Sequence, residues 1–533
     1  MSAVVSASPG SESGKRVVGS VGWLADAGVY NRTMRFFVLA LFLCASSACK
    51  KQTDSDKSPP SPTPEATSPT DPTTEPAPKP VVAKPKPPPP KPSSDPKRHA
   101  SEVEYVDVPK SEQPPGDAKA GYQALLELGY VGCGLPWSMV EKYVTDTPEH
   151  EKVPGRTGDN ALVSFSSSVV TTKKGVKTFT KNCLTCHAEY LDGKVYIGLG
   201  STDANFTQPM KLPPEVAALA MTPDEGEEYL RWRKRVSTVD KSMRTLTVGA
   251  NAADNITAVL FAHRDPKTLN WSDDPLLPLP PYVTPLDVPP WWHVRKKNAL
   301  YYTAAGRGDL SRLMMLASVL CVDTVETASE IAEQFPNIRA YLETIEPPPY
   351  KDKVDEKLAA RGKVIFADLC ADCHGTYGET DTYPNRVVAL DDIGTDPLAA
   401  QGGSFYSEQY LDWFKQSFYG KTARLEPEKG YIAPPLDGIW ASTPYFHNGS
   451  VPTVRAVLDS TSRPAYWKRT DKYDHQALGW VYEEGKPHAD LPEEERPTVY
   501  DTTQVGYANT GHLFGDDLSD AERTSVIEYL KTL

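Results

Sequence analysis

Two short segments carry the chemistry of this chain: Cys183-Leu184-Thr185-Cys186-His187 and Cys370-Ala371-Asp372-Cys373-His374. In each, two cysteines sit about one helical turn apart and a histidine follows directly. That spacing lets both thiols add to the vinyl groups of one haem while the imidazole reaches the iron as an axial ligand. Cys183, Cys186, Cys370 and Cys373 are therefore read as attachment residues, with His187 and His374 as iron ligands, for two covalent haem c groups. Paired cysteines also serve zinc sites and redox dithiols. The adjacent histidine, present both times, favours haem.

These motifs need elements to position them. Gly175 and Gly362 each lie eight residues before the first cysteine, and Phe179 and Phe366 lie four before it. Gly, Phe and Cys at i, i+4 and i+8 form one stripe of a helix, so each motif is expected to end an N-terminal helix. Ser519 to Leu533 reads as a closing helix, with a capping box at Ser519 and Glu522 and an apolar face at Val526, Ile527 and Leu530. The fold class expected is mainly α, with two cytochrome c-like haem domains and extensive loops.

The sixth ligand of the second haem cannot be a downstream methionine, because all eight methionines lie at or before Met315. Downstream histidines are His447, His475, His488 and His512. His512 is favoured, in a Gly-flanked loop just ahead of the closing helix. His447 is the runner-up ligand, or else a hydrogen-bonding residue near the haem propionates. His475 and His488 stand in charged surroundings and read as surface residues. For the first haem, Met210, Met221, Met243 and His263 are available, though a methionine in an apolar helix is more often core. If none coordinates, His187 is the sole axial ligand and the iron is open to oxygen or peroxide. Trp291-Trp292, ahead of His293 and the basic run Arg295-Lys296-Lys297, is read either as an electron bridge or as a packing anchor. The basic side chains pair with haem propionates or face solvent. Cys133 and Cys321 either pair or remain as two buried thiols.

The start of the chain reads as an export signal. Met34-Arg35 precedes the apolar run Phe36 to Leu43, and small residues lead to Cys49. The expected biological start is Met34, with 1–33 a misassigned extension, 34–49 the signal and Cys49 a lipidated terminus. Simple cleavage after Ala48 is the alternative. Between Pro59 and Pro96 lie 16 prolines, so residues 50–100 read as an extended stalk without a core. The net charge of −13 offers no attraction to nucleic acid or to anionic lipid. The low histidine count and the lack of a phosphate loop argue against nucleotide chemistry. The product is expected in the periplasm, or anchored as a lipoprotein, in a Gram-negative bacterium.

Pro434-Pro435-Leu436-Asp437-Gly438-Ile439-Trp440 and Thr443-Pro444-Tyr445-Phe446-His447-Asn448-Gly449-Ser450 resemble the second domain of bacterial dihaem cytochrome c peroxidases. The paired tryptophans before a basic run, the long spacing between motifs and the Gly511-His512 segment resemble the dihaem rubber oxygenases more closely, over roughly 125–533. That resemblance implies an open haem on His187, a bis-His haem on His374 and His512, a bridging role for Trp292, and oxidative cleavage of double bonds. It also allows calcium between the domains, though no loop of this sequence is built for it. The chain is short between His447 and His512 and lacks the Phe-Trp-Asp-Gly motif associated with the peroxidases.

The domain expectation is 101–290 for the first haem domain, 291–345 for a connector and 346–533 for the second. Three functions remain. One is a rubber oxygenase-like oxidoreductase using dioxygen on an apolar substrate. Another is a peroxidase taking electrons from a small redox protein. The third is a membrane-tethered electron carrier.

Overall fold

The computed structural model describes residues 103–144, 147–401 and 406–533, and all of these fall in one compact unit. The signal, Cys49 and the proline stalk lie outside the described residues. The fold is 36% helix and 15% strand, spread over several small sheets, so the mainly helical expectation is corrected to a mixed α and β architecture.

The departure is clearest before the first cysteine motif. Strand β1 (Tyr105–Asp107) precedes helix α1 (Ala118–Glu127), whose first turn is capped by the Asp117 carboxylate accepting from the Ala120 amide at 2.7 Å. Strands β2 (Leu135–Pro136), β3 (Ser167–Thr171) and β4 (Lys177–Lys181) then form an antiparallel sheet in the order β2-β4-β3. Gly175 and Phe179, expected on a helical stripe, belong to this sheet instead. Gly175 turns the chain between strands at φ +81°, and Phe179 pairs with both Leu135 and Val169. The reason is local chemistry. Val169, Val170, Thr178 and Thr180 are β-branched and suit a pleated surface. A glycine at positive φ ends a helix rather than continuing it.

The first motif forms a single turn, α2 (Leu184–His187), running into the hairpin β5 (Ala188–Leu191) and β6 (Lys194–Ile197). Helix α3 (Pro223–Asp240) begins at a Thr222–Glu225 capping box, and α4 (Ala253–Ala262) and α5 (Phe335–Leu342) follow. Helix α6 (Glu356–Leu369) leads into the second motif turn, α7 (Ala371–His374). Strands β7 (Arg386–Ala389) and β8 (Gly430–Ile432) complete a sheet with β1, so the start of the described chain is stitched beside the second motif. Beyond the short helix α8 (Val454–Val457), β9 (Tyr466–Asp474) and β10 (Gly479–Glu484) form a hairpin. The chain closes with α9 (Asp520–Leu530), started by the expected Ser519–Glu522 capping box.

Two helix crossings repeat one device. Helix α6 crosses α9 at Gly362, where an added Cβ would lie 1.9 Å from the Ser525 carbonyl oxygen. Helix α1 crosses α5 at Gly121, where an added Cβ would lie 1.9 Å from the Asn337 carbonyl oxygen. Four residues past each glycine, Leu125 and Phe366 are buried in the shared core. The helix paired with the first motif is thus α1, far upstream of Cys183, and its partner α5 lies in the segment expected to be a connector.

Cys133 and Cys321 form a disulfide, with Cα atoms 5.5 Å apart and 188 residues between them. It joins the chain just ahead of β2 to the turn after the helical stretch Leu310–Ser318, in the cluster of Trp137, Tyr229 and Trp232.

Candidate haem centres

The second motif faces a cavity walled by Phe366 and Leu369 of α6 and by Val526 and Leu530 of α9, with Cys370, Cys373 and His374 on its rim. His374 is oriented by its neighbours. Its Nδ1 lies 2.8 Å from the Pro434 carbonyl and donates to it, which leaves Nε2 as the free lone pair. The Tyr377 hydroxyl donates to the His374 carbonyl at 2.9 Å. Gly375, at φ +84°, lets the chain turn away where a Cβ would meet the Thr382 carbonyl oxygen at 2.0 Å.

His512 lies across this cavity. Its ring centre is 6.3 Å from that of His374. Two imidazoles on opposite sides of one metal, with bonds of about 2.0 Å and roughly 1.1 Å from nitrogen to ring centre, stand about 6 Å apart. The observed separation fits one shared iron. Burial pushes the His512 imidazole down to about 3, aided by the nearby His374 and Arg463, and burial lowers His374 against the opposing Pro434 carbonyl. Both rings are therefore neutral, the form a metal takes. Burial also raises the thiols of Cys370 to about 12 and of Cys373 to about 11. An apolar slot with two thiols on its rim and two neutral imidazoles across it fits haem c.

The first motif is held differently. The Asn182 side chain accepts from the Leu184 amide at 2.9 Å and donates to the Phe165 carbonyl at 2.9 Å, which ties the turn to β3's approach. The Tyr130 hydroxyl accepts from the Cys183 amide at 3.1 Å, and Asn251 Nδ2 lies 3.5 Å from Cys186 Sγ. The His187 ring stacks on Trp291, with centres 4.6 Å apart and planes at 19°. Burial pushes His187 down to about 4. The Pro289 carbonyl faces the ring and opposes that shift, but makes no hydrogen bond of ordinary geometry to Nδ1. Of the other candidate ligands, His263 sets Nδ1 2.9 Å from the Ser272 carbonyl and stacks on Trp271. Met243 is buried in the main core, and Met210 and Met221 pack on the cluster around the disulfide.

The two centres are joined by matching proline turns. Pro289-Pro290-Trp291-Trp292 and Pro434-Pro435-Leu436-Asp437 meet where the Asp437 carbonyl accepts from Trp292 Nε1 at 2.7 Å, with His293 Nε2 3.0 Å from the same oxygen. Trp292 is 1% exposed. The basic run divides. Lys296 pairs with Asp437 at 2.8 Å and Asp381 at 2.6 Å, and Arg295 pairs with Glu346 and Asp437. Lys297 lines the second cavity, where burial pushes its ammonium down to about 8 and no ion pair forms among the described residues.

The remaining histidines separate by surroundings. His447 lines the second cavity and stacks on Tyr431 with ring centres 4.0 Å apart. His475 is a half-exposed surface residue paired with Asp352 at 2.7 Å. His488, read as a surface residue, is buried with Nε2 2.9 Å from the Val499 carbonyl, because its loop folds inward against Asp501. Sequence reasoning missed Tyr130, Asn182 and Arg463, which act through backbone partners that no local motif announces, and Asn251, whose partner Cys186 is 65 residues away. Among the described residues no group of three His, Cys, Asp or Glu side chains could hold a metal ion, so the calcium allowed by the resemblance has no such cluster there.

Residues 430–468 match the family described as RoxA-like, cytochrome c-like. This stretch contains Pro434 and His447, which line the second cavity, and also Asp437 and Arg463. The match supports a cytochrome c-like segment related to the rubber oxygenases and implies covalent haem c. The chain is also similar to two proteins of Sinorhizobium fredii (strain NBRC 101917 / NGR234). It is 28% identical to uncharacterized protein y4iM over 295 residues, 48% of this chain and 66% of that protein. It is 27% identical to uncharacterized protein y4iJ over 287 residues, 41% of this chain and 47% of that protein. The chain thus spans just under two thirds and about half of these relatives.

Proposed function

We propose that this chain is an exported dihaem oxidoreductase of the rubber oxygenase type. His374 and His512 would hold one haem, and His187 would be the protein's one ligand to the other, whose iron would take dioxygen or peroxide. The observation that carries this reading is the 6.3 Å separation of the His374 and His512 rings. When bound, the haem on His187 supplies an iron that activates the oxidant, and the haem on His374 stores and passes electrons.

The residues divide the remaining work. Pro434 fixes the His374 proton on Nδ1. Trp291 stacks against His187 and Trp292 extends from it to the Asp437 carbonyl, giving a bonded and stacked route between the two histidines. Lys297, which has no ion pair among the described residues, would donate to the carboxylate of a haem propionate. The Cys133–Cys321 disulfide supports an oxidising compartment outside the cytoplasm, with Cys49 as the membrane tether.

The route through Trp291 and Trp292 also favours a second reading, a peroxidase in which electrons from a small donor protein pass from the second haem to the first. Haem content by mass, oxygen uptake on a polyisoprene latex and peroxide-dependent oxidation of a reduced donor cytochrome separate the cases. Oxygen uptake with aldehyde or ketone products supports the oxygenase. Donor oxidation by peroxide alone supports the peroxidase. One haem per chain contradicts both.

A further inference from the structure

The loop that carries His512 is strained, and one side chain gathers it. Gly511 and His512 both adopt positive φ, at +77° and +50°, a conformation costly for a residue with a Cβ. Gly511 lies so close to Gly394 that an added Cβ would be 2.2 Å from its carbonyl carbon. The Arg463 guanidinium reaches this loop from beyond α8. Nη1 donates to the carbonyls of Asn509 at 2.8 Å and Gly511 at 2.7 Å. Nη2 donates to the carbonyls of His512 at 3.2 Å and Val457 at 3.1 Å. Nε donates to the Ala456 carbonyl at 2.8 Å. All five N–H groups thus meet five backbone carbonyls on two segments, which a lysine with three donors on one point cannot do. No carboxylate forms an ion pair with Arg463 among the described residues, and its guanidinium lies 5.0 Å from the Phe446 ring centre, beside His512.

We propose that Arg463 is the positioning residue of the second haem's distal ligand: it holds the 509–512 loop in the strained conformation that presents His512 opposite His374. The inference rests on the reading that His512 ligates this haem. An arginine placed only to cap α8 would need the carbonyls of Ala456 and Val457 and not three from the ligand loop. Removing the clamp lets the loop relax toward ordinary φ values and withdraws the ring, while the Cys370, Cys373 and His374 attachment stays.

The test compares Arg463→Gln, Arg463→Lys and His512→Gly as full-length holo-proteins by EPR and by carbon monoxide titration of the reduced state. The proposal expects Arg463→Gln to lose the low-spin signal of the bis-His haem and to regain a low-spin signal with free imidazole. Carbon monoxide uptake should rise from about one to about two per chain, and Arg463→Lys should fall between wild type and Arg463→Gln. A wild-type spectrum and wild-type uptake in Arg463→Gln, with the signal lost in His512→Gly, overturn the clamp alone. A wild-type spectrum in His512→Gly overturns the ligand reading beneath it. If Arg463→Gln does not mature, Arg463→Lys decides, because it keeps the charge but reaches at most three carbonyls. An unaltered spectrum and uptake there also overturn the proposal.

Discussion

The indole nitrogen of Trp292 donates to the Asp437 carbonyl at 2.7 Å, three residues past the Pro434 carbonyl that accepts from His374. Because Trp291 stacks on His187 at 4.6 Å, an unbroken chain of rings, hydrogen bonds and backbone joins the two histidines. Trp292→Phe keeps an aromatic ring but removes that donor and, at a position 1% exposed, part of the buried ring volume. Stopped-flow reduction should show electron exchange between haems slowed on the order of tenfold, with stability lowered by about 2–3 kcal/mol from the lost hydrogen bond and the cavity together. An unchanged exchange rate contradicts the bridging role and leaves Trp292 a packing residue.

The glycine crossings give a stability prediction. At Gly121 and Gly362 a methyl group would lie 1.9 Å from a backbone carbonyl oxygen. Gly121→Ala and Gly362→Ala should each destabilise the protein by about 3 kcal/mol or more, because the helices must move apart. Denaturant unfolding checks this. A loss well under 1 kcal/mol in either variant would show that its crossing opens freely.

Closing a span of 188 residues, the Cys133–Cys321 disulfide restricts the unfolded chain. In the chain-entropy account its loss costs about 5 kcal/mol. The paired Cys133→Ser, Cys321→Ser variant should unfold at correspondingly lower denaturant while keeping its haem spectra. Equal midpoints would mean that the unfolded chain is already compact there.

Asp254, in the first turn of α4, has its carboxyl pushed up to about 6 by burial. Its unfolded value is about 4. Between these values the folded protein holds the proton more tightly than the unfolded chain, so stability from this group falls as pH rises from about 4 to about 6 and is level above. Asp254→Asn should remove that slope, and the difference between variant and wild-type stability should change only within this window. A difference independent of pH contradicts the assignment.

The chemistry was more legible in the sequence than the scaffold. Residue type and spacing singled out the Ser519–Glu522 cap, which the structure shows, and the flanking glycine singled out His512, which lines one cavity with Cys370, Cys373 and His374. The stripe of Gly362, Phe366 and Cys370 does follow α6, but the identical stripe of Gly175, Phe179 and Cys183 follows a strand and a turn. The difference is tertiary. Lys177–Lys181 pairs with Ser167–Thr171 and with Leu135, and those partners outweigh a period that also suits a helix. The helix that replaces it, α1, was hidden because its partner Asn337 is 216 residues from Gly121. His488 misled because its charged neighbours face outward while its ring turns in to Val499. Arg463 gave no local sign, since all five of its acceptors are backbone carbonyls, which carry no sequence signature.

The most direct test of the account is an EPR and optical spectrum of the purified ferric protein, repeated after reduction with carbon monoxide. One low-spin bis-His haem that ignores the ligand, beside one haem that binds it, is the predicted result. Two low-spin haems that both ignore carbon monoxide would contradict an open site on His187 and leave the chain an electron carrier.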